Sequence, residues 1–284
     1  MYTVCNINTE FYYSQTQFFM LFINMFKKVK RNISLALGSG SAKGLAHIGV
    51  IEYLLEKGYN ITAIAGSSIG SVIASYFVFN KLDFYKNFVL SLDKKKVFSL
   101  FDINFLPTKG LIDGDKICEF FMESLGKVKI EESPIPLYIV ATDLETGKPV
   151  IFTKGQLTKA VRASISIPGI FSTVNINGQI LVDGGVSNPL PISVLSENKH
   201  KNIIAVNLNS KIKPNGFNKS PNIISTFYRA FSIMNYYQSE CIINNATYHK
   251  VIEPNLDNVG MFDYHLAKDI MQEGYNAAKR TLEE

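Results

Sequence analysis

Cysteine is scarce in this 284-residue chain: Cys5, Cys118 and Cys241 are odd in number and far apart, with no C-x-x-C spacing. That pattern argues against both a disulfide framework and a zinc thiolate site. Arginine is sparse too, 4 residues against 25 lysines, and the formal charge of +5 is modest for the length. A nucleic-acid-binding face therefore has little support. Two basic runs stand out, Lys27-Lys28-Val29-Lys30-Arg31 and Lys94-Lys95-Lys96. Each reads either as a solvated face or as an attraction to anionic lipid, at roughly 1 kcal/mol per near-surface basic residue. Long apolar runs are missing: nothing approaches the ~18–20 residues that span a bilayer. The greasiest window, Phe18 to Phe26, is nine residues long with Asn24 inside it. Basic charges follow this window instead of preceding it, and no small-residue cleavage site comes after, which speaks against a signal peptide. The expectation is a cytoplasmic protein, peripheral to the membrane where it meets lipid.

What is present is a globular composition, 46 % hydrophobic and 19 % charged, with length for one or two domains. Residues 1–24 are rich in Asn, Thr, Tyr and Phe without periodicity, and Met25 precedes the first convincing strand. They read as an upstream extension of a protein whose natural start is Met25, or as an interfacial anchor. From Ile33 the pattern turns regular. Ile33–Leu37 and Ile61–Ala65 are apolar runs that each enter a glycine turn followed by a helical pattern, over 43–58 and 71–80. Helices are expected near 83–92, 113–126, 156–165, 222–247 and 262–282, and strands at 137–141, 150–152, 180–182 and 203–208, with an exposed loop around 210–221. Two-sided apolar strands alternating with helices predict a three-layer α/β/α sandwich with a mostly parallel central sheet. The expected division is an N-terminal extension, 1–32, and a single domain, 33–284.

The sharpest chemical signal is Gly66-Ser67-Ser68-Ile69-Gly70, a G-x-S-x-G between an apolar strand and an apolar helix. A serine at such an elbow sits on a strained turn, and small flanking residues let its Oγ project at the sheet's edge. The helix behind supplies a positive dipole end for developing negative charge. A second turn, Gly38-Ser39-Gly40-Ser41-Ala42-Lys43-Gly44, misses both the Walker order and the dinucleotide fingerprint. It reads as an anion nest of backbone N–H groups or as a plain tight turn. A serine nucleophile needs a base, yet none of His47, His200, His249 and His265 lies in a motif. Asp183-Gly184-Gly185 follows the strand at 180–182, and on spacing alone Asp183 fits a turn-former as well as a base. The aromatics of 76–105 and 227–237 fit an acyl-chain groove or ordinary core packing, and only the first region lies where a lid sits.

Four blocks in order resemble the patatin-like phospholipases, in particular their bacterial branch related to neuropathy target esterase. They are Gly38-x-Gly40-x-x-Lys43-Gly44-Leu45-Ala46-His47-Ile48-Gly49-Val50, the Gly66–Gly70 elbow, Arg162–Phe171, and Val182-Asp183-Gly184-Gly185-x-x-Asn188-Pro189-x-Pro191. The resemblance implies a Ser–Asp dyad with Ser68 as nucleophile and Asp183 as base, and an oxyanion hole at Ser39, Gly40 and Ser41. The family usually carries Gly where Ser39 and Ser41 stand here. Gly38, Gly44, Gly66, Gly70, Gly184 and Gly185 are the motif glycines, while Arg162 and Asn188 have sound structural uses. The implied activity is hydrolysis of carboxylic esters of phospholipids or lysophospholipids through an acyl-serine, with no metal or organic cofactor and with an unassigned oligomeric state. Substituting His47 or His265 is expected to leave most of it. Two rivals accompany this expectation: an esterase or acyltransferase using the same serine, and a non-catalytic lipid-binding protein on the same fold.

Overall fold

The computed structural model describes residues 31–100, 114–209 and 223–283. The extension before residue 31, the Phe18–Phe26 window and the loop at 210–221 lie outside the described residues. Asn32–Glu284 forms one compact unit. Its strands are β1 (Arg31–Leu37), β2 (Tyr59–Ser67), β3 (Leu137–Asp143), β4 (Pro149–Phe152), β5 (Val174–Ile176), β6 (Gln179–Asp183), β7 (Ile203–Val206) and β8 (Lys250–Ile252). The helices are α1 (Ala46–Glu56), α2 (Ile69–Val78), α3 (Leu82–Leu90), α4 (Lys94–Leu100), α5 (Asp115–Leu125), α6 (Leu157–Ser164), α7 (Ile192–Glu197), α8 (Ile223–Asn245) and α9 (Ala267–Glu283).

Among the described residues the sheet has 8 strands, hydrogen-bonded in the order β5-β6-β3-β2-β1-β7-β8, with β4 also on β3. Pairing is parallel at β2–β3, β1–β7 and β7–β8, and antiparallel at β3–β4, β3–β6 and β5–β6. The sheet is thus mixed, and one end of it is antiparallel. Period-2 alternation sends successive residues to opposite faces. Leu35, Leu37, Ile64, Ile204 and Val206 enter the larger core with residues of α1, α2 and α9. Ala36, Ala63, Ala65 and Ala205 face α7 and the Ile242–Ile243 end of α8. Helices cover both faces, which is why the strands read as unbroken apolar runs.

One feature of β3 sets up the site. β4 pairs residues 139–142 of β3 and so occupies one edge. β2 pairs residues 137–140 and β6 pairs residues 141–143, which leaves both on the other edge, tip to tip. Ser67 lies opposite Val140 and Asp183 opposite Ala141. The carboxyl ends of β2 and β6 therefore meet head-on.

Candidate active site

β2 ends at Ser67 and α2 starts at Ile69, so the chain turns within Ser68 alone. Its φ of 55° and ψ of −126° fall where an L side chain is strained. Neighbours over-determine that conformation. The Ser68 N–H donates to Ser164 Oγ at 2.9 Å, and the Ser68 carbonyl accepts from Ser71 N–H at 2.8 Å and Ser71 Oγ at 2.6 Å. The flanking glycines are required by close packing: a Cβ at Gly70 would stand 2.2 Å from the Leu37 carbonyl oxygen, and one at Gly66 would stand 2.5 Å from the Gly70 carbonyl. Alanine ordinarily gains about 1 kcal/mol over glycine inside a helix. Gly70→Ala is instead expected to destabilise by about 3 kcal/mol through overpacking, read as a lower urea midpoint.

Asp183 closes β6. The Ser68 hydroxyl donates to its Oδ2 at 2.5 Å, and the Gly185 N–H donates to its Oδ1 at 2.7 Å. Thr142 Oγ1 donates to the Asp183 carbonyl at 2.8 Å, and the Asp183 N–H reaches the Ser166 carbonyl at 2.9 Å. The side chain does not sit at a carboxyl edge shared by all strands: β6 runs against β3 and stops partway along it. The Asp-Gly step has a steric cause, since a Cβ at Gly184 would lie 2.3 Å from the Val140 carbonyl oxygen and 2.7 Å from Ser67 Oγ. Asp183 is wholly buried and Ser68 is 4 % exposed. Burial pushes the Asp183 carboxyl up to about 7, against the smaller opposing pull of the Ser68 and Gly185 hydrogen bonds. A serine hydroxyl bonded to a carboxylate of that basicity has a local proton acceptor.

The glycine turn divides its amides. The Ser39 N–H is taken by the Pro189 carbonyl at 2.8 Å and the Gly38 N–H by the Val206 carbonyl at 3.1 Å. Gly40 and Ser41 make no backbone N–H bond to another described residue. Ser41, like Ser68, has a positive φ, 51°. Gly44 packs directly on the Ile69 side chain and Gly185 on Ser39. His47 lies behind this turn, fully buried, with Nε2 donating to the Gly38 carbonyl at 2.8 Å. Burial drops its imidazole to about 4, so it is a neutral brace for the turn.

Ser41 and Ser68 both open onto a cavity of about 100 Å³ whose other walls are almost wholly apolar, among them Val72, Phe88, Phe121, Ile167 and Phe171. Residues 101–105 lie outside the described residues, and the rest of the aromatic-rich region 76–105 splits: Tyr85 and Phe88 line the cavity, whereas Tyr76 is core and stacks on Tyr85 at 4.6 Å. Phe231 and Tyr228 pack in a neighbouring cluster with Ile167 and Phe171. Arg162 is buried, donating to Ser166 Oγ at 2.6 Å and to Ser172, with its guanidinium over the Phe171 ring. Asn188 Nδ2 donates to Ser193 Oγ at 3.3 Å and the Asn188 backbone N–H donates to the Gly184 carbonyl at 2.9 Å, as in a turn-former. Sequence reasoning passed over Ser164 and Tyr228. Ser164 lies inside the Arg162–Phe171 block, and the Tyr228 hydroxyl stands beside Ser41, its phenol held up chiefly by burial.

A family model described as patatin-like phospholipase matches residues 35–196. The chain belongs to the patatin-like phospholipase family. All four blocks of the resemblance fall inside the match. An uncharacterized NTE family protein of Mycobacterium bovis is 40 % identical over 191 residues, 67 % of this chain and 53 % of that protein. Lysophospholipase NTE1 of Candida albicans is 28 % identical over 184 residues, 63 % of this chain and 13 % of its own length. Among solved structures, VipD from Legionella pneumophila aligns with a TM-score of 0.48 at 14 % identity, over 89 % of this chain and 67 % of that one. This patatin-like chain spans about half the length of its Mycobacterium relative.

Proposed function

We propose that the protein is a lipid acyl hydrolase that cleaves carboxylic esters of phospholipids or lysophospholipids through a Ser68–Asp183 dyad. The observation that carries this is the 2.5 Å Ser68–Asp183 hydrogen bond at the end of an apolar cavity. An acyl chain lying along Val72, Phe88 and Phe121 presents its ester carbonyl to Ser68. Asp183 accepts the Oγ proton as Oγ attacks, forming the tetrahedral intermediate. Its oxyanion is met by the Gly40 and Ser41 amides, which bond no acceptor among the described residues, and by the positive end of α2. Ser39 is left out of that set because its amide holds Pro189. Asp183 then protonates the leaving alkoxide, and water attacks the acyl-serine by the reverse route.

Purified protein is expected to release free fatty acid from lysophosphatidylcholine or phosphatidylcholine and to take a fluorophosphonate label on Ser68, located by peptide mass spectrometry. Absence of both from a folded sample would overturn the hydrolase reading in favour of a lipid-binding protein. Transfer of the acyl group to an added alcohol in preference to water would make it an acyltransferase.

A further inference from the structure

Helix α8 is apolar on both of its sides. Its inward side buries Phe231 along with Asn235 and Ser239, packs Ile242 and Ile243 on the sheet, and Gln238 Nε2 reaches the Val186 carbonyl at 3.1 Å. Its outward side shows Ile223 at 86 % exposure, Met234 at 56 % and Tyr237 at 67 %, with Phe227 and Ile233 also exposed. Ile223, Phe227, Ala230, Met234, Tyr237 and Cys241 follow one another at spacings of four and three, along one stripe. At 100° per residue the exposed arc covers roughly 120° and contains no charged side chain. A solvated helix face carries charge, so this face is built for a partner.

Resting on the lipid-hydrolase reading, we propose that the outer face of α8 docks on an anionic lipid surface, seating the Ser68 cavity against the bilayer. Continuity with the cavity favours lipid as the occupant. The Phe227 ring stands 3.8 Å from where a Cβ on Gly169 would lie, and Gly169 sits in sequence between Ile167 and Phe171, both of which line the cavity. Charge agrees: Lys94, Lys95 and Lys96 are exposed in the helix whose Val97 lines the same cavity. Area argues against a second copy. A stripe about 28 Å long and 10 Å wide offers on the order of 300 Å², below the roughly 800 Å² per partner of a stable protein interface. Interfacial helices use such a strip, combining apolar insertion with attraction to anionic headgroups.

The test is sedimentation of the full chain with phosphatidylcholine vesicles, with and without phosphatidylglycerol, against the variant Met234→Glu/Tyr237→Glu. Wild type is expected to sediment with the phosphatidylglycerol vesicles, and the variant to bind at least about tenfold more weakly. Fatty acid release from vesicle lipid falls in parallel, while hydrolysis of p-nitrophenyl butyrate in solution is unchanged. Met234→Ser/Tyr237→Ser carries the same comparison where the carboxylates perturb folding. Equal binding by wild type and variant, or no vesicle binding by wild type, overturns the proposal. So does a wild-type dimer in light scattering that the variant makes monomeric, which assigns the face to a second copy. Loss of binding in the variant without any ester hydrolysis by wild type keeps the docking face and removes the hydrolase reading.

Discussion

Ser68→Ala is expected to lower kcat for ester hydrolysis by at least about 10⁴-fold and to abolish fluorophosphonate labelling, because in the proposed dyad Ser68 is the group that forms the acyl-enzyme. The fold should survive. Alanine and serine meet the same backbone strain at φ 55°, and the Ser164 and Ser71 contacts that hold the elbow reach backbone atoms of residue 68. What disappears is one hydrogen bond to Asp183, which costs about 1–2 kcal/mol. Circular dichroism should match wild type. Histidine variants form the contrast. His265→Ala should retain nearly full activity, since that side chain faces Asp263 at 3.9 Å. His47→Ala is expected to act differently from the sequence-based expectation. It removes the brace on the Gly38 carbonyl and so lowers kcat through the turn, leaving the pH profile in place. A dead but folded His265 variant would overturn the dyad.

The elbow was legible because its physics is local: a strand, a strained serine, two glycines and a helix lie within adjacent residues. The same holds for the three-layer class, since strands such as Leu137–Asp143 are buried on both faces. β5 and β8 were not legible. Each is three residues long, and they are strands only because β6 and β7 offer edges to pair with. α4 was hidden in the Lys94–Lys96 run, whose charges mask the inward Val97. The direction of β6 is also non-local, and it decides why Asp183 meets Ser68. Spacing left Asp183 open between turn-former and base on the expectation of a carboxyl edge that β6 does not share, and only the resemblance gave it the role of base. The Ser39 amide illustrates the remaining gap: its acceptor, Pro189, is 150 residues away, and no local pattern announces that pairing.

Asp183→Asn should abolish hydrolysis as Ser68→Ala does, and it should also make the protein more stable above neutral pH. The activity follows from proton acceptance. Wild-type kcat/KM is expected to rise with pH through a single ionisation near 7, the value to which burial brings Asp183. Asparagine cannot take the proton, yet it fits: its carbonyl accepts the Gly185 N–H and its amide donates to Ser68 Oγ.

The stability follows from linkage. Folded Asp183 holds its proton to about 7, against 3.8 for the unfolded chain. Its contribution is complete below 3.8 and is lost as pH rises through about 7, a change of about 4 kcal/mol. His47 works in the opposite sense. Its folded value of about 4 lies below the unfolded 6.5, so its contribution is present above 6.5 and lost as pH falls through about 4, some 3 kcal/mol. Between these limits the two slopes nearly cancel in wild type. Removing the Asp183 ionisation exposes the His47 slope. Urea unfolding of Asp183→Asn should therefore gain stability with rising pH up to about 6.5 and then level off, exceeding wild type by about 4 kcal/mol well above pH 7. Parallel wild-type and variant curves would show that the Asp183 carboxyl titrates near its ordinary value and that the base is not tuned by burial.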